Sequence, residues 1–218
     1  MCASHFKKVK EVLYCHTTMG VNEDFVRTVC KDQEWKLNIL YPKYEDEYER
    51  FVKKYGFPKP TSHTWIMNRL KSNPVRSWYT KEKKKRDIVL VSGIRLKESK
   101  RREKMYRNLP EIHKSQNMMF TQPIKKWTEQ DVADYLKKHN LPISPTYATT
   151  GVSGDCFCGA YSKRHENLKL MKHYPELAKK IQDIEKKTGK SWGTFTSVTN
   201  CTGQRTLEGL ICNECMRE

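Results

Sequence analysis

The sequence predicts an α/β fold built on a doubly wound parallel sheet, and three observations predict it. Short apolar runs of strand length alternate with segments of helical periodicity, Gly and Pro punctuate the joints, and two loops with polar or basic residues follow the ends of expected strands. In open sheets of this class, ligands sit beyond the carboxyl ends of the strands, where the strand order reverses.

The elements follow in order. Residues 12–16 carry Val, Leu and Tyr with strand propensity, and Gly20 closes the turn after them. Asn22 or Asp24 can cap a helix reaching Gln33 that places Phe25, Val26 and Val29 on one face. Residues 37–41 read as a second strand, and 44–55 as a helix stopped by Gly56 and Pro58. A helix over 63–70 and a basic helix over 75–86 come next, then a third strand at 88–92 and a fourth near 120–124. Thr128 is the N-cap of an amphipathic helix with Asp131 at its third position and Val132, Tyr135 and Leu136 as its inward stripe. Residues 141–147, stiffened by Pro142 and Pro145, predict an extended arm. A last helical stretch over 163–187 has Leu168, Met171, Leu177, Ile181 and Ile184 as its stripe. The expected division is a main domain over 1–150 and a helical, cysteine-rich appendage over 151–218.

Composition narrows the class. A chain of 218 residues, 37% hydrophobic and 31% charged, is too apolar for a disordered protein and long enough for one domain with an appendage. No run of about 18 apolar residues exists, so no membrane-spanning helix is expected. Residues 1–10 lack the apolar centre of a signal peptide, so the eight cysteines read as thiols or metal ligands in a reducing cytoplasm rather than as disulfides. The net charge of +17 favours a polyanionic partner, either an anionic nucleotide-type ligand or a nucleic acid, and the sign alone does not choose. The densest basic run, 81–86, reads as a solvated helix end, and none of the common nucleic-acid motifs is present.

Three groups of residues can carry chemistry. Gly93-Ile-Arg-Leu-Lys-Glu-Ser-Lys-Arg-Arg102 turns abruptly basic after an apolar run. Gly93 allows a turn or a close approach to a ligand, Arg95 and Arg102 offer forked donors to phosphate or sulfate, and Glu98 can orient one of them. A solvated strand-to-helix connection accounts for the same residues equally well. The loop His16-Thr-Thr-Met-Gly20 places Thr17 and Thr18 at another strand end, where they can contact a ligand or simply form the turn. Cys156-Phe-Cys158 and Cys212-Asn-Glu-Cys215 supply four thiolates that can enclose one Zn²⁺ or ligate a [4Fe-4S] cluster. Spacing does not choose between the two metals. Cys201 is either an extra thiol or a substitute ligand, and His165 and His173 read as surface residues.

The order of these motifs resembles a known family. Gly93-Ile-Arg with Glu98-Ser99 and Arg102, then Pro123-Ile124, Trp127-Thr128, Asp131-Val132 and Tyr135, then Leu141-Pro142, Pro145 and Tyr147, is similar to the phosphoadenosine-phosphosulfate (PAPS) reductase-like branch of the PP-loop, or adenine nucleotide alpha hydrolase, superfamily. Tyr55-Gly-Phe-Pro58, His63-Thr-Trp65 and Arg69-Leu-Lys71 match the same pattern upstream. The resemblance covers residue 9 to about 160. It implies an adenine nucleotide of the ATP or phosphosulfate type, with Arg95, Glu98 and Arg102 at its anionic end and Gly93, Ser99, His63 and Lys71 among the binding residues. The 15–20 loop, with His16, Thr17, Thr18 and Gly20, would lie nearer adenosine.

The departures shape the expected function. The Ser-Gly-Gly-x-Asp-Ser loop that opens such domains is not found in this sequence, so the chain is expected to start inside the domain, with a mis-assigned start or a separate chain supplying the loop. Loss of the first, central strand would leave a gap of roughly 10 Å or force a re-pairing of its neighbours. Ile66 and Met67 stand where iron–sulfur reductases carry paired cysteines, and the Glu-Cys-Gly-x-His motif of sulfate-reducing members is missing. Assimilatory sulfate reduction is therefore not expected. The sulfur-transferring relatives that modify DNA or tRNA carry cysteine-bound clusters, which by analogy favours a cluster here and leaves DNA or tRNA open as the acceptor. The resemblance implies adenylation or sulfur transfer. The alternative is a non-catalytic or degenerate nucleotide- or nucleic-acid-binding module with a structural metal.

Overall fold

Parallel strand pairs need a long crossover, and residues 11–40 supply one. In the computed structural model, which describes residues 11–151, 154–161 and 172–192, β1 (Glu11–Cys15) pairs with β2 (Lys36–Leu40) in parallel, Glu11 opposite Lys36 and Cys15 opposite Leu40. Helix α1 (Glu23–Asp32) crosses between them, with Glu23 and Asp24 in its first turn and Lys31 in its last, the signs that suit the helix dipole. The chain divides into two compact units. The first contains Glu23–Leu40 and Ser72–Ser144 together with β1.

In this first unit, α4 (Asn73–Glu82) packs on β1 and β2. Its anchor is Tyr79, 2% exposed, whose hydroxyl donates to the Ile88 carbonyl at 3.2 Å and accepts from the Met119 N–H at 3.1 Å. Beside it, the two terminal guanidinium nitrogens of Arg86 hold Glu11 at 2.6 and 3.0 Å. That hydrogen bond is the main reason the Glu11 carboxyl is held down to about 2.

The second ladder has order β3-β5-β4. β3 (Leu90–Val91) is parallel to β5 (Met118–Thr121), and β4 (Ile112–Ser115) is antiparallel to it. Here the structure corrects the expected all-parallel sheet. The third strand shrinks from 88–92 to two residues and the fourth moves from 120–124 to 118–121. β4 was not expected, because Ile112-His-Lys-Ser offers one apolar residue to a strand pattern. The hairpin turns on Gln116 and Asn117, both at positive φ (50° and 62°), the twist a tight two-residue turn requires. Among the described residues no pairing joins this ladder to β1 and β2.

Helix α5 (Lys100–Tyr106) leaves the loop after β3, and α6 (Glu129–Lys138) is capped as the sequence predicts. The Thr128 N–H donates to the Asp131 carboxylate at 2.7 Å, and the Asp131 N–H to the Thr128 hydroxyl at 3.1 Å. Its stripe of Val132, Tyr135 and Leu136 is only half-buried.

The second unit spans His16–Asn22, Tyr41–Lys71 and the chain from Pro145 onward. It holds α2 (Glu47–Tyr55), α3 (His63–Met67), α7 (Pro145–Thr150) and α8 (Pro175–Thr188). A π turn, Asn68–Ser72, follows α3 and leads directly into α4, where Pro74 has no N–H to give to a carbonyl four residues back. The expected extended arm gives way to α7 from Pro145, since Pro fits the first turn of a helix. Met19, Tyr48, Phe51, Val52, Ile66, Leu70, Ile181 and Ile184 form the core. Full burial of each such aliphatic side chain contributes about 1.5–3 kcal/mol. Leu177, Ile181 and Ile184 of the expected stripe are buried; Leu168, Met171, His165, Cys201, Cys212 and Cys215 lie outside the described residues. No described helix is long and apolar enough to cross a membrane.

Candidate functional site

Two clusters of the expected site residues form, one in each unit. In the first unit, the loop leaving β3 is tied down by the Ser92 N–H to the Thr121 carbonyl and by the Leu96 N–H to the Lys125 carbonyl, both at 2.9 Å. Gly93 is exposed at its start. A single 3₁₀ turn, Leu96–Glu98, then folds the Glu98 carboxylate back. It accepts from the Arg95 N–H at 3.3 Å, meets the Arg95 guanidinium at 3.4 Å, and pairs with Arg102 through its other contact. Glu98 thus orients both arginines, where the sequence suggested one. Ser99 accepts from the Arg102 N–H at 3.2 Å and caps α5. Two guanidiniums around one carboxylate leave a net positive charge and several free donors, because each guanidinium has five.

In the second unit, residues 16–22 are stitched to residues 154–158. The Thr17 hydroxyl, 1% exposed, donates to the Asp155 carbonyl at 2.8 Å. The Val21 N–H reaches the Gly154 carbonyl at 2.9 Å, and the Phe157 N–H the Met19 carbonyl at 2.7 Å. Gly20 lies so close that a Cβ there would meet the Asp155 oxygen at 2.6 Å. Thr18, at φ 60°, presents its carbonyl to the Lys180 ammonium at 2.6 Å, and the His16 ring leans on Tyr41 at 5.2 Å. Asn22 accepts from the Thr146 hydroxyl at 2.8 Å, which accepts in turn from Tyr174 at 2.7 Å. Thr17 and Gly20, expected beside a nucleotide, here hold the cysteine loop in place.

That loop delivers Cys156 and Cys158, both free thiols, to one place. Cys158 is pulled down to about 5, first by the hydrogen bond from Cys156 and further by His63 and the Ala160 N–H, against the opposing effect of burial. Cys156 moves well up, because it shares its proton with Cys158 and is buried, while the Lys71 charge and Thr17 pull the other way. The two shifts run in opposite directions, so Cys158 gives up its proton before Cys156. His63 stacks edge-on against Tyr161 at 4.9 Å and keeps its buried Nδ1 without a hydrogen-bond partner. Tyr48 donates to the Cys158 carbonyl at 2.9 Å. His63 and Lys71 thus act on Cys158 and Cys156 respectively, although the pairs lie far apart in the chain. The roles of Asn22, Asp155 and Thr146 in building it had no local signal in the sequence.

Two converging thiols, one of them acidified, suit a soft metal, yet among the described residues no three His, Cys, Asp or Glu side chains come together to hold an ion. Cys156 and Cys158 fit half of the expected thiolate set.

A loop that leaves the carboxyl end of a parallel strand stands where α/β proteins of this class bind their ligands. Comparison with known families carries this further: the model of the phosphoadenosine phosphosulfate reductase domain matches residues 1–202. The chain belongs to this family, whose members bind adenine nucleotides. It is 25% identical over 182 residues to an uncharacterized protein of Methanocaldococcus jannaschii, covering 82% of this chain and 42% of that protein. The chain thus spans less than half the length of that relative. Among solved structures it is similar to the phosphoadenylyl-sulfate reductase of Candida auris, a phosphate complex, with 22% identity, a TM-score of 0.46 and 65% and 66% of the two chains covered.

Proposed function

We propose that this chain binds an adenine nucleotide of the ATP or phosphosulfate type for adenylation or sulfur transfer, with Arg95 and Arg102 holding its anionic groups. The supporting observation is the single carboxylate of Glu98 that fixes both guanidiniums behind a parallel strand, in a chain matched over residues 1–202 by the reductase family. In that role Arg95 and Arg102 offset phosphate or sulfate charge, and Glu98 keeps their donors aimed and their charge from repelling. Titration calorimetry with ATP and with adenylyl sulfate tests the reading. Arg95→Ala should weaken binding by about 1–3 kcal/mol, the scale of a charge-assisted hydrogen bond. Equal affinity of the variant and the native chain would remove Arg95 from the site.

The convergence of Cys156 and Cys158 favours a companion reading in which they hold zinc or an iron–sulfur cluster together with Cys212 and Cys215. Such a group would tie the C-terminal segment down or supply electron or sulfur chemistry; the residues named here supply only its thiolates. Metal analysis of purified protein should find about one site per chain, lost in Cys156→Ser. Metal content unchanged by that substitution would refute it.

A further inference from the structure

Helix α4 has two contrasting faces. Val75, Trp78 and Tyr79 turn inward, while Asn73, Arg76, Ser77, Thr80 and Lys81, with Lys84 just past the last turn, are all exposed and line one shallow, open trough. Their spacing of three and four residues makes a single stripe along the helix.

The distribution of charge along this segment separates a functional face from a merely solvated one. Of the cations beside the stripe, Arg86 pairs with Glu11 and Glu82, Lys85 pairs with Glu82, and Lys83 lies over the Tyr79 ring at 6.0 Å. Among the described residues, those on the stripe meet no carboxylate. Arg76 meets only the neutral Gln116 amide at 2.6 Å, and Lys81 and Lys84 form no ion pair among the described residues. The two acids at this segment, Glu82 and Glu11 of β1, both meet cations off the stripe. The trough has no acidic and no large apolar lining residue, which disfavours a basic partner and an inserted hydrophobic side chain alike.

Geometry selects the form of the anion. At 1.5 Å per residue, Arg76, Lys81 and Lys84 lie about 7.5 and 4.5 Å apart along the axis, a line of charge rather than a converging cluster. A mononucleotide phosphate needs donors that converge; a polymer of phosphates needs them in a row. The whole stripe runs about 16 Å, the reach of several successive phosphates of one strand. Asn73, Ser77 and Thr80 add the short neutral donors that commonly contact phosphate oxygens.

We propose that this stripe is a docking surface for the phosphodiester backbone of a nucleic acid, bound through its phosphates and not its bases. It stands on the surface alone and does not depend on the nucleotide reading above.

Fluorescence anisotropy with labelled DNA and RNA single strands of about 20 nucleotides, across a salt series, tests it. The native chain should bind at least one of the two, and the pair tells which sugar is preferred. The triple variant Arg76→Ala, Lys81→Ala, Lys84→Ala should bind tenfold or more weakly, with the slope of log affinity against log salt shallower by about two, as expected when up to three phosphate contacts are lost. The control Lys31→Ala, Lys137→Ala, Lys138→Ala removes the same charge from α1 and α6 and should change affinity less than about twofold. Equal losses in the two triples would reduce the effect to net charge and overturn the proposal. So would absent binding by the native chain, or a loss confined to phosphatidylserine vesicles run in parallel. An unchanged melting temperature in both triples excludes unfolding as the cause.

Discussion

The cysteine pocket and the arginine loop solve the problem of placing charge in opposite ways. In the pocket, Thr17 reaches a carbonyl 138 residues away, Gly20 touches backbone, and a half-buried thiol hydrogen-bonds a buried one. In the loop, Glu98 holds partners three and four residues away, in the open. Long-range burial gives large, cooperative effects on single groups; local exposed pairing gives small ones that any ligand can rearrange.

The largest expected effect is at Cys158. In metal-free protein its alkylation should persist as pH falls and fade only near 5, where the thiolate is protonated. An ordinary thiol is only a few per cent thiolate at neutral pH, whereas burial slows the reaction of Cys158 at every pH, so the readout is the pH at which its alkylation falls to half of its own plateau. His63→Ala should move the midpoint upward, and a midpoint that stays near the ordinary thiol value in the native protein would dissolve the contrast. Next comes Gly20→Ala, whose Cβ cannot coexist with the Asp155 carbonyl. It should cost about 1–3 kcal/mol in denaturant unfolding, and a neutral result would mean that the two loops are not in register. Thr128→Ala removes a local capping contact on α6 and should cost about 1 kcal/mol. Smallest is Glu98→Gln, expected to change stability by less than about 1 kcal/mol, because the pairs are exposed, while weakening nucleotide binding by leaving Arg95 and Arg102 unaligned. A large loss of stability there would place the arginine loop in the same class as the pocket.

The same contrast governs what could be read in advance. The α6 cap, the α1 crossover and the Arg95–Glu98–Arg102 cluster were legible because each depends on residues a few positions apart, and so was the inward stripe of α8. The β4–β5 hairpin was not, since Gln116-Asn117 is a weaker turn signal than a glycine-containing pair and Ile112 stands alone in its strand. The gathering of His63, Lys71, Cys156 and Cys158 was illegible for a different reason. Motif order named His63 and Lys71 and cysteine spacing named Cys156 and Cys158, but only tertiary contacts such as Thr17 with Asp155 and Tyr48 with the Cys158 carbonyl decide that they meet.

Tyr79 carries a consequence for how this protein can change over time. Its single hydroxyl satisfies one carbonyl and one N–H on two different backbone segments, so the rotation of α4 about its own axis is fixed from the inside. The outward lysines, Lys81 and Lys84, are then released from any duty to the fold. Lysines can be gained or lost there one at a time, each shifting affinity for a polyanion by a small step and leaving folding intact, so this helix is a dial that selection can turn without risking the molecule that holds it.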